Sequence, residues 1–292
     1  MSTTASPKIL VTGATGNIVT ELVKQLVDRN VLFQALIRSA KDRDKLVHLP
    51  GVDLVEGDFN DSASLSRVLA GVEKAFLLTN SSEQAESQQL RFVAEAKRAG
   101  LNHVIKLSQL GAGPASPVRF LRYHAVVKAA IRESGMAYTF LRPNLFMQGL
   151  LGFRDSIVGQ KQFVAAIGDA KVSLVDGRDI AAVGAAALTE PDHVNQIYTL
   201  TEPQALTHAE LASELTKALG RPITFINVTP EAMRGALEQA NFPAWQADGL
   251  IEDYAHYGRH EAAVVTADVE TATERQPYSF AEFAHEYAGA FS

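Results

Sequence analysis

A glycine-containing turn between the first apolar segment and the first helical segment is the feature that most restricts how this chain can fold. The run Ile9-Leu-Val-Thr12 leads into Gly13-Ala-Thr-Gly16-Asn-Ile-Val19, and a helical segment follows over residues 21–28. Glycines in such a turn let backbone N–H groups approach a pyrophosphate at the helix N-terminus. The pattern predicts a dinucleotide-binding turn, and an empty structural turn is the alternative. The residues expected to contact the pyrophosphate are Gly13, Thr15, Gly16, Asn17 and Ile18.

Short apolar runs alternate with helical segments through the first half of the chain. The runs that read as strands are residues 8–12, 31–37, 52–55, 74–79, 103–108 and 137–141. Between them, segments such as 87–98 place Leu90, Val93 and Ala94 on one helix face. Nearly continuous apolar strands are typical of a parallel sheet covered by helices on both faces. The sequence therefore predicts an α/β chain with a doubly wound parallel sheet of the Rossmann type.

Glycine and proline become frequent after about residue 145, and the strand–helix alternation weakens. Helices are predicted over 176–188 and 207–219. The second helix opens with Thr207 and Glu210 at the spacing of a capping box, and Gly220 follows its end. We predict a Rossmann domain over 1–150 and a smaller α+β substrate or partner lobe over 151–292, with the chain crossing back to the sheet.

The formal net charge of −6 is distributed unequally along the chain. Residues 1–150 carry 18 basic and 13 acidic side chains, a net charge of +5, whereas residues 151–292 carry 9 and 20, a net charge of −11. A nucleic-acid-binding domain would gather its basic residues in one stripe, so no nucleic-acid partner is expected. The basic half suits an anionic small molecule.

Cysteine is absent from the sequence, which excludes disulfides, thiolate catalysis and cysteine-ligated zinc. No apolar run approaches the 20 or so residues that a membrane-spanning helix needs, and the N-terminus has no basic segment typical of a secretion signal. We therefore expect a cytoplasmic protein without a membrane partner.

Arg38 ends the second predicted strand, about 20 residues beyond the glycine turn. A site that prefers NAD would place Asp or Glu there, on the ribose 2′-hydroxyl. A guanidinium instead clamps a 2′-phosphate, and Lys41 and Arg43 add positive charge. We expect NADP(H) in preference to NAD(H), and the alternative is that Arg38 is a solvated strand end.

Ligands of such sheets bind beyond the carboxyl ends of the strands. After the third strand, Asp58 and Phe59 are expected on the adenine side, although Asp58 could equally cap a helix, a role for which Asp61 competes. The residues expected around the nicotinamide ribose and ring are Thr79, Asn80, Ser108, Gln109, Arg142, Pro143 and Asn144.

Several motifs follow one another along the chain in a recognisable order. They are Gly13-Ala-Thr-Gly16, Leu36-Ile-Arg-Ser39, Val55-Glu-Gly-Asp-Phe-Asn-Asp61, Tyr138-Thr-Phe-Leu-Arg-Pro-Asn144 and Asp176-Gly-Arg-Asp-Ile-Ala181. Together they resemble the NmrA-like family of atypical short-chain dehydrogenases/reductases, over nearly the whole length. The resemblance implies a Rossmann domain with a small C-terminal substrate region. It also implies either an NADPH-dependent reductase or a cofactor-binding regulator.

The helical segment between the fifth and sixth strands carries Tyr123, His124 and Lys128. Typical short-chain dehydrogenases place Tyr and Lys four residues apart, but Tyr123 and Lys128 are five apart, a rotation of about 140°. His124 and Lys128 share a face, an arrangement that resembles the NmrA-like family. We expect Lys128 and His124, aided by Ser108, to bind the ribose and place a proton near the substrate oxygen. The alternative is that they only hold the cofactor.

The expected function is hydride transfer from NADPH to a small apolar conjugated acceptor such as a quinone, a dye or an enone. Phe146, Met147, Phe153 and Phe163 are expected to line an apolar cleft, and packing in the core is the alternative. Two alternatives are an NAD(P)(H)-binding redox sensor with a protein partner and an epimerase or isomerase that retains its nicotinamide. His256 and His260 lack a third ligand, so no metal is expected. Whether the chain forms a homodimer is left open.

Overall fold

Parallel strands and helices alternate through the first part of the fold, and smaller elements follow. The computed structural model describes residues 8–14, 16–43 and 52–292. The strands in these ranges are β1 (Ile9–Val11), β2 (Phe33–Ile37), β3 (Val52–Glu56), β4 (Lys74–Leu77), β5 (His103–Leu107), β6 (Ala137–Pro143), β7 (Gln162–Ala165), β8 (Lys171–Val172), β9 (Gln196–Leu200), β10 (Leu206–Thr207) and β11 (Thr224–Asn227). The helices are α1 (Asn17–Asp28), α2 (Ala40–Arg43), α3 (Ser62–Leu69), α4 (Ala85–Arg98), α5 (Arg119–Ser134), α6 (Arg154–Gln160), α7 (Gly177–Thr189), α8 (His208–Leu219), α9 (Pro230–Gln239), α10 (Ala244–Gly258), α11 (Asp268–Thr273) and α12 (Phe280–Glu286).

The main sheet has the strand order β3-β2-β1-β4-β5-β6-β9. Adjacent pairs among the first six strands are parallel, and Leu10 of β1 lies opposite Gln34 of β2 and Ala75 of β4. The reversal of strand order between β1 and β4 is the topology of a doubly wound nucleotide-binding sheet. The predicted Rossmann fold and its six strands are confirmed.

Helix α1 and strand β9 differ from the sequence-based prediction. Helix α1 begins at Asn17, four residues before the predicted start, because the extended Gly16 (φ −87°, ψ 156°) already serves as its N-cap. Strand β9 was not predicted as a strand. Its first two residues are exposed and only Tyr198 and Leu200 are buried, so it lacks the continuous apolar run that marks a central strand.

The described chain divides into two compact units. Unit 1 comprises the described residues of Met1–Ser108, with Tyr123–Arg142 and Ile180–Tyr198, and unit 2 comprises Gln109–Arg122, Pro143–Asp179 and Thr199–Ser292. The boundary predicted at residue 150 stays a prediction.

Unit 1 is built around an apolar core on the sheet, in which Phe92 and Phe140 are completely buried. The ring of Phe59 stacks on that of Phe92, with centroids 5.7 Å apart.

Unit 2 has two apolar clusters, one around Phe163, Phe280 and Phe283 and one around Tyr254 and Tyr257. Helix α8 starts and ends as the sequence predicts: Thr207 and Glu210 form a capping box, and Gly220 ends the helix in a left-handed conformation. In the described ranges no helix combines the length and apolarity needed to cross a bilayer.

Two buried carboxyl groups make the stability of unit 2 depend on pH. Burial raises the pKa of Glu202 to about 7, although backbone N–H groups of Phe280 and Leu174 donate to it. Burial also raises the pKa of Asp253 to about 7, against hydrogen bonds from Gln109 and Tyr257. Both groups therefore stay largely protonated in the folded protein at a pH where the unfolded chain has lost these protons.

We expect Asp253→Asn to gain about 1 kcal/mol of stability over the unchanged protein between pH 6.5 and pH 8. The histidines and lysines whose lowered pKa values act in the opposite direction are common to both proteins and cancel in this comparison. A folded-state pKa above the unfolded value gives stability that is fully present below the unfolded pKa and is lost as the pH rises through the folded one. For one group near 7 the loss over this interval is about 1 kcal/mol. Thermal unfolding of the unchanged protein and of Asp253→Asn at the two pH values measures the difference. Unfolding midpoints that change equally with pH in the two proteins would contradict the assignment.

Candidate nucleotide-binding and catalytic site

The glycine turn after β1 leaves no room for a side chain at its first position. Gly13 has φ +73°, and a Cβ added there would lie 3.1 Å from the carbonyl oxygen of Leu78 and 3.2 Å from its Cγ. The hydroxyl of Thr12 holds the neighbouring strand, since it receives a hydrogen bond from the Leu78 N–H at 2.9 Å. Only glycine allows this close approach of the β1 and β4 strand ends without strain.

The N-terminus of α1 is open to an anion. Gly16 supplies no side-chain cap, and the first turn contains no acidic residue. The first N–H groups of a helix have no partner within the helix and carry a partial positive charge. Among the described residues, the turn therefore presents donors where the sequence predicts a pyrophosphate.

A cleft of about 390 Å³ lies in unit 1 at the carboxyl ends of β1 to β4. The predicted cofactor residues that line it are Gly13, Gly16, Arg38, Asp58, Phe59, Thr79 and Asn80. Asn17 and Ile18 begin α1 beside Gly16 but are not among the lining residues. Thr15 and the side chain of Lys41 lie outside the described residues. The structure thus gathers seven predicted residues from four separate chain segments around one cavity.

Arg38 is exposed and lines this cleft at the end of β2. Asp42 also lines the cleft, whereas Arg43 does not. The exposure of Arg38 also agrees with the alternative of a solvated strand end, so the contact with a 2′-phosphate stays a prediction. A guanidinium here can meet a phosphate on the adenosine ribose.

Asp61, not Asp58, caps the helix that follows β3. The Asp61 carboxylate accepts a hydrogen bond from the Ala63 N–H at 2.9 Å. Asp58 instead accepts from the backbone N–H and side-chain amide of Asn60, at 2.8 and 3.1 Å. The helix-cap interpretation of Asp58 is therefore wrong, and its carboxylate lies on the cleft wall.

Several polar cleft residues were not predicted as site residues. They are Asp42, Asn60, Ser82, Gln84 and Gln88. Asn60 and Ser82 stand within a few residues of the strand ends, so the carboxyl-end rule finds them if it is extended beyond the first two positions. Gln84 and Gln88 belong to the start of α4, which the sequence pattern marks only as a helix.

A buried basic cluster lies at the carboxyl end of β5. Lys106 is fully buried, and its Nζ lies 3.1 Å from Nδ1 of His124 and donates to the carbonyl oxygen of Leu107. Burial, then the charges of Lys106 and Lys128, hold the pKa of His124 well below its usual range. His124 is therefore a neutral imidazole at neutral pH and carries no charge of its own.

Lys128 and Ser108 belong to the same unit as this cluster. Burial and the nearby Arg142 and Arg132 lower the pKa of Lys128 to about 8. The Oγ of Ser108 is buried and has no hydrogen-bond partner in the described part of the chain. A buried hydroxyl without a partner and an amine that titrates near neutrality can bind a ribose hydroxyl or a developing oxyanion. Neither residue, nor His124, lines the 390 Å³ cleft.

Tyr123 makes contacts that differ from those of the catalytic tyrosine in typical short-chain dehydrogenases. Its hydroxyl lies 3.1 Å from the Oγ of Ser81. Its ring packs against that of His124, with centroids 4.1 Å apart. Tyr123, which precedes Lys128 by five residues, therefore makes a structural contact through its hydroxyl.

In unit 2, the chain after β6 is held by buried hydrogen bonds. The side-chain amide of Asn144 donates to Oγ of Ser173 at 3.0 Å and to the carbonyl oxygen of Ala262 at 2.8 Å. The carbonyl oxygen of Pro143 accepts from the Leu110 N–H at 2.9 Å. The cofactor contacts expected of Pro143 and Asn144 stay predictions.

A second cavity, of about 690 Å³, lies within unit 2 and is mainly apolar. Phe146, Phe153 and Phe163 line it, as the sequence predicts. Met147 does not, because it is completely buried in the adjoining core.

Trp245 and His256 have local structural contacts. The ring of Trp245 packs on Phe120 at 5.4 Å and beneath Arg119 at 5.5 Å. Nδ1 of His256 lies 2.5 Å from the Glu261 carboxylate.

The matches to known proteins extend over both units. The model of the NmrA-like family matches residues 5–284. The chain belongs to the NmrA-like family. It is 38% identical to the NAD(P)H azoreductase of Xenophilus azovorans, over 97% of this chain and 99% of that protein. It is 34% identical to the (4-alkanoyl-5-oxo-2,5-dihydrofuran-3-yl)methyl phosphate reductase of Streptomyces griseus subsp. griseus, with the same two coverages.

Among solved structures, the fold matches the NADPH-dependent quinone oxidoreductase of Escherichia coli in complex with NADPH. The TM-score is 0.86 and the sequence identity 26%, over 95% of this chain and 99% of that one. The predicted fold and family resemblance are therefore confirmed.

Proposed function

We propose that this protein is an NADPH-dependent reductase that transfers hydride to a small apolar conjugated acceptor. The observation that carries the proposal is the unit 1 cleft, which combines a glycine turn, an uncapped helix N-terminus and Arg38 at the end of β2. These features match the pyrophosphate and the 2′-phosphate of NADP(H). NADPH, when bound, supplies the hydride from its nicotinamide ring.

The names of the relatives support the acceptor class. One is an azoreductase, one reduces an unsaturated lactone and one solved structure is a quinone oxidoreductase. Azo groups, quinones and conjugated lactones all accept hydride into an extended π system. The mainly apolar cavity of unit 2 suits molecules of this kind. The partner is thus a small molecule, and a cytoplasmic location stays a prediction.

The chain's own residues would act mainly by positioning the cofactor and the acceptor, and less by supplying protons. A quinone takes hydride and one proton to become a hydroquinone, and solvent can deliver that proton after the transfer. Lys128 would hold the cofactor ribose, Ser108 would donate a hydrogen bond, and neutral His124 would keep its ring fixed against Lys106. The missing Tyr–Lys pair is compatible with this chemistry.

NADPH oxidation with a panel of quinones, azo dyes and enones tests the proposal. We expect acceptor-dependent loss of absorbance at the NADPH band, with one hydroquinone formed for each NADPH consumed. Slower turnover with NADH at equal concentration would support the cofactor preference. Protein that binds NADPH but reduces none of the acceptors above the buffer rate would overturn the proposal and favour the sensor alternative.

A further inference from the structure

His208 is a buried polar side chain in the wall of the unit 2 cavity. It is the first residue of α8, is 2% exposed, and lines the cavity. Its ring packs against Phe225 at 5.2 Å, Tyr254 at 5.8 Å and Phe163 at 6.2 Å between centroids. Its Nδ1 is buried and has no hydrogen-bond partner within the described ranges. Nδ1 of His208 is therefore a polar atom without a hydrogen-bond partner in a wall of aromatic rings.

The charge state of His208 defines what it can bind. Burial lowers the pKa of His208 to about 4, so the ring is neutral at physiological pH. A neutral imidazole has one N–H donor and one nitrogen acceptor, and it brings no positive charge to the cavity. A buried polar atom without a partner costs free energy that a ligand with a matching polar group recovers.

The size and composition of the cavity restrict the ligand further. About 690 Å³ can hold a molecule of two or three fused rings. Phe146, Leu150, Phe153 and Leu237 provide apolar surface. A flat conjugated molecule would bury most of its surface here.

The described residues that line the cavity offer no cation to an anionic ligand. Among the described residues that line it there is no lysine or arginine. Asp155, the acidic residue among these described lining residues, has a side chain that is 99% exposed and lies 3.4 Å from the Arg154 guanidinium. An anion that entered would lose its hydration without gaining an opposite charge. Sulfonates and phosphate esters are therefore disfavoured.

We infer that the unit 2 cavity is a binding site for neutral, flat, conjugated molecules that hydrogen-bond to His208, and that it discriminates against anionic analogues. The inference rests on the proposed function in that it names a site for the same acceptor class. It also separates this chain from the Streptomyces griseus relative, whose name specifies a phosphate ester. Binding, unlike turnover, can be measured without NADPH.

Two matched probes test the selectivity: 1,4-naphthoquinone and its 2-sulfonate, titrated calorimetrically into the full-length protein without cofactor. We expect the neutral quinone to bind at least about tenfold more tightly. His208→Phe, which keeps an aromatic ring and removes both nitrogens, should weaken neutral-quinone binding about three- to tenfold. His285→Phe makes the same change on the exposed face of α12 and should leave both affinities unaltered.

A gain-of-function variant keeps the test independent of any folding defect in the histidine variant. Ala240 is exposed and lines the cavity. Ala240→Lys should strengthen binding of the sulfonate by about fivefold or more, while Ala281→Lys, an equal charge change on α12, should not. Equal affinity for the two probes, or affinities that neither His208→Phe nor Ala240→Lys alters, would overturn the inference.

The two proposals fail in different ways. Probe binding with the expected selectivity but no NADPH oxidation contradicts the proposed function and leaves the site in place. NADPH oxidation that persists while neither probe binds in the cavity contradicts the inferred site and leaves the reductase in place.

Discussion

Arg38→Asp is expected to weaken NADPH binding about 100-fold or more while changing NADH binding less than about threefold. A charge-assisted hydrogen bond to phosphate is worth about 1.5–3 kcal/mol, and the new carboxylate adds repulsion of the 2′-phosphate. NADH has a hydroxyl in place of the 2′-phosphate. It therefore has no charge-assisted bond to lose and meets no added repulsion. Titration of the protein with each cofactor at one fixed, low salt concentration measures both constants, because screening weakens such contacts.

A matched variant controls for the change in net charge. Arg29 is exposed at the end of α1, where its guanidinium donates to Gln25, and it does not line the cleft. Arg29→Asp makes the same charge change and should alter neither affinity by more than about twofold. Equal losses of NADPH and NADH affinity in Arg38→Asp would show that Arg38 does not bind the 2′-phosphate.

The parallel sheet and the cleft at its carboxyl edge follow from local patterns. Strand length, apolar continuity and the glycine turn are all encoded within a few consecutive residues. Gly13, Arg38, Asp58 and Thr79 follow different strands, yet one rule about strand ends is enough to bring them to the same cleft.

Tertiary contacts account for what the sequence does not predict. Lys106 stands in the apolar run of β5, and its closeness to His124 depends on how α5 packs over the sheet. His208 looks like an ordinary first residue of a capped helix, and only the surrounding rings of unit 2 make it buried and neutral. Strand β9 leaves its first two residues exposed because it lies at the sheet edge, so it lacks the continuous buried run of a central strand.

Gly249→Ala is expected to destabilise the protein by about 2–3 kcal/mol, although the same change in a helix interior normally stabilises by up to about 1 kcal/mol. Gly249 lies in α10, and a Cβ added there would stand 2.2 Å from Cζ of Phe120 and 2.4 Å from its Cε1. The ring is itself packed against Trp245 and is 5% exposed, so it has little freedom to move. Overpacking therefore outweighs the gain in helix propensity.

Thermal unfolding of two glycine variants separates the two effects. Gly235 lies in α9, and a Cβ added there would meet no atom within 4 Å. Gly235→Ala should raise the unfolding midpoint by about 1–3 °C, whereas Gly249→Ala should lower it by roughly 5–10 °C. Combining Gly249→Ala with Phe120→Leu should cost less than the sum of the two single changes, because the smaller side chain relieves the clash. A stabilised Gly249→Ala protein would mean that the Phe120 ring can move aside, and Trp245 with it.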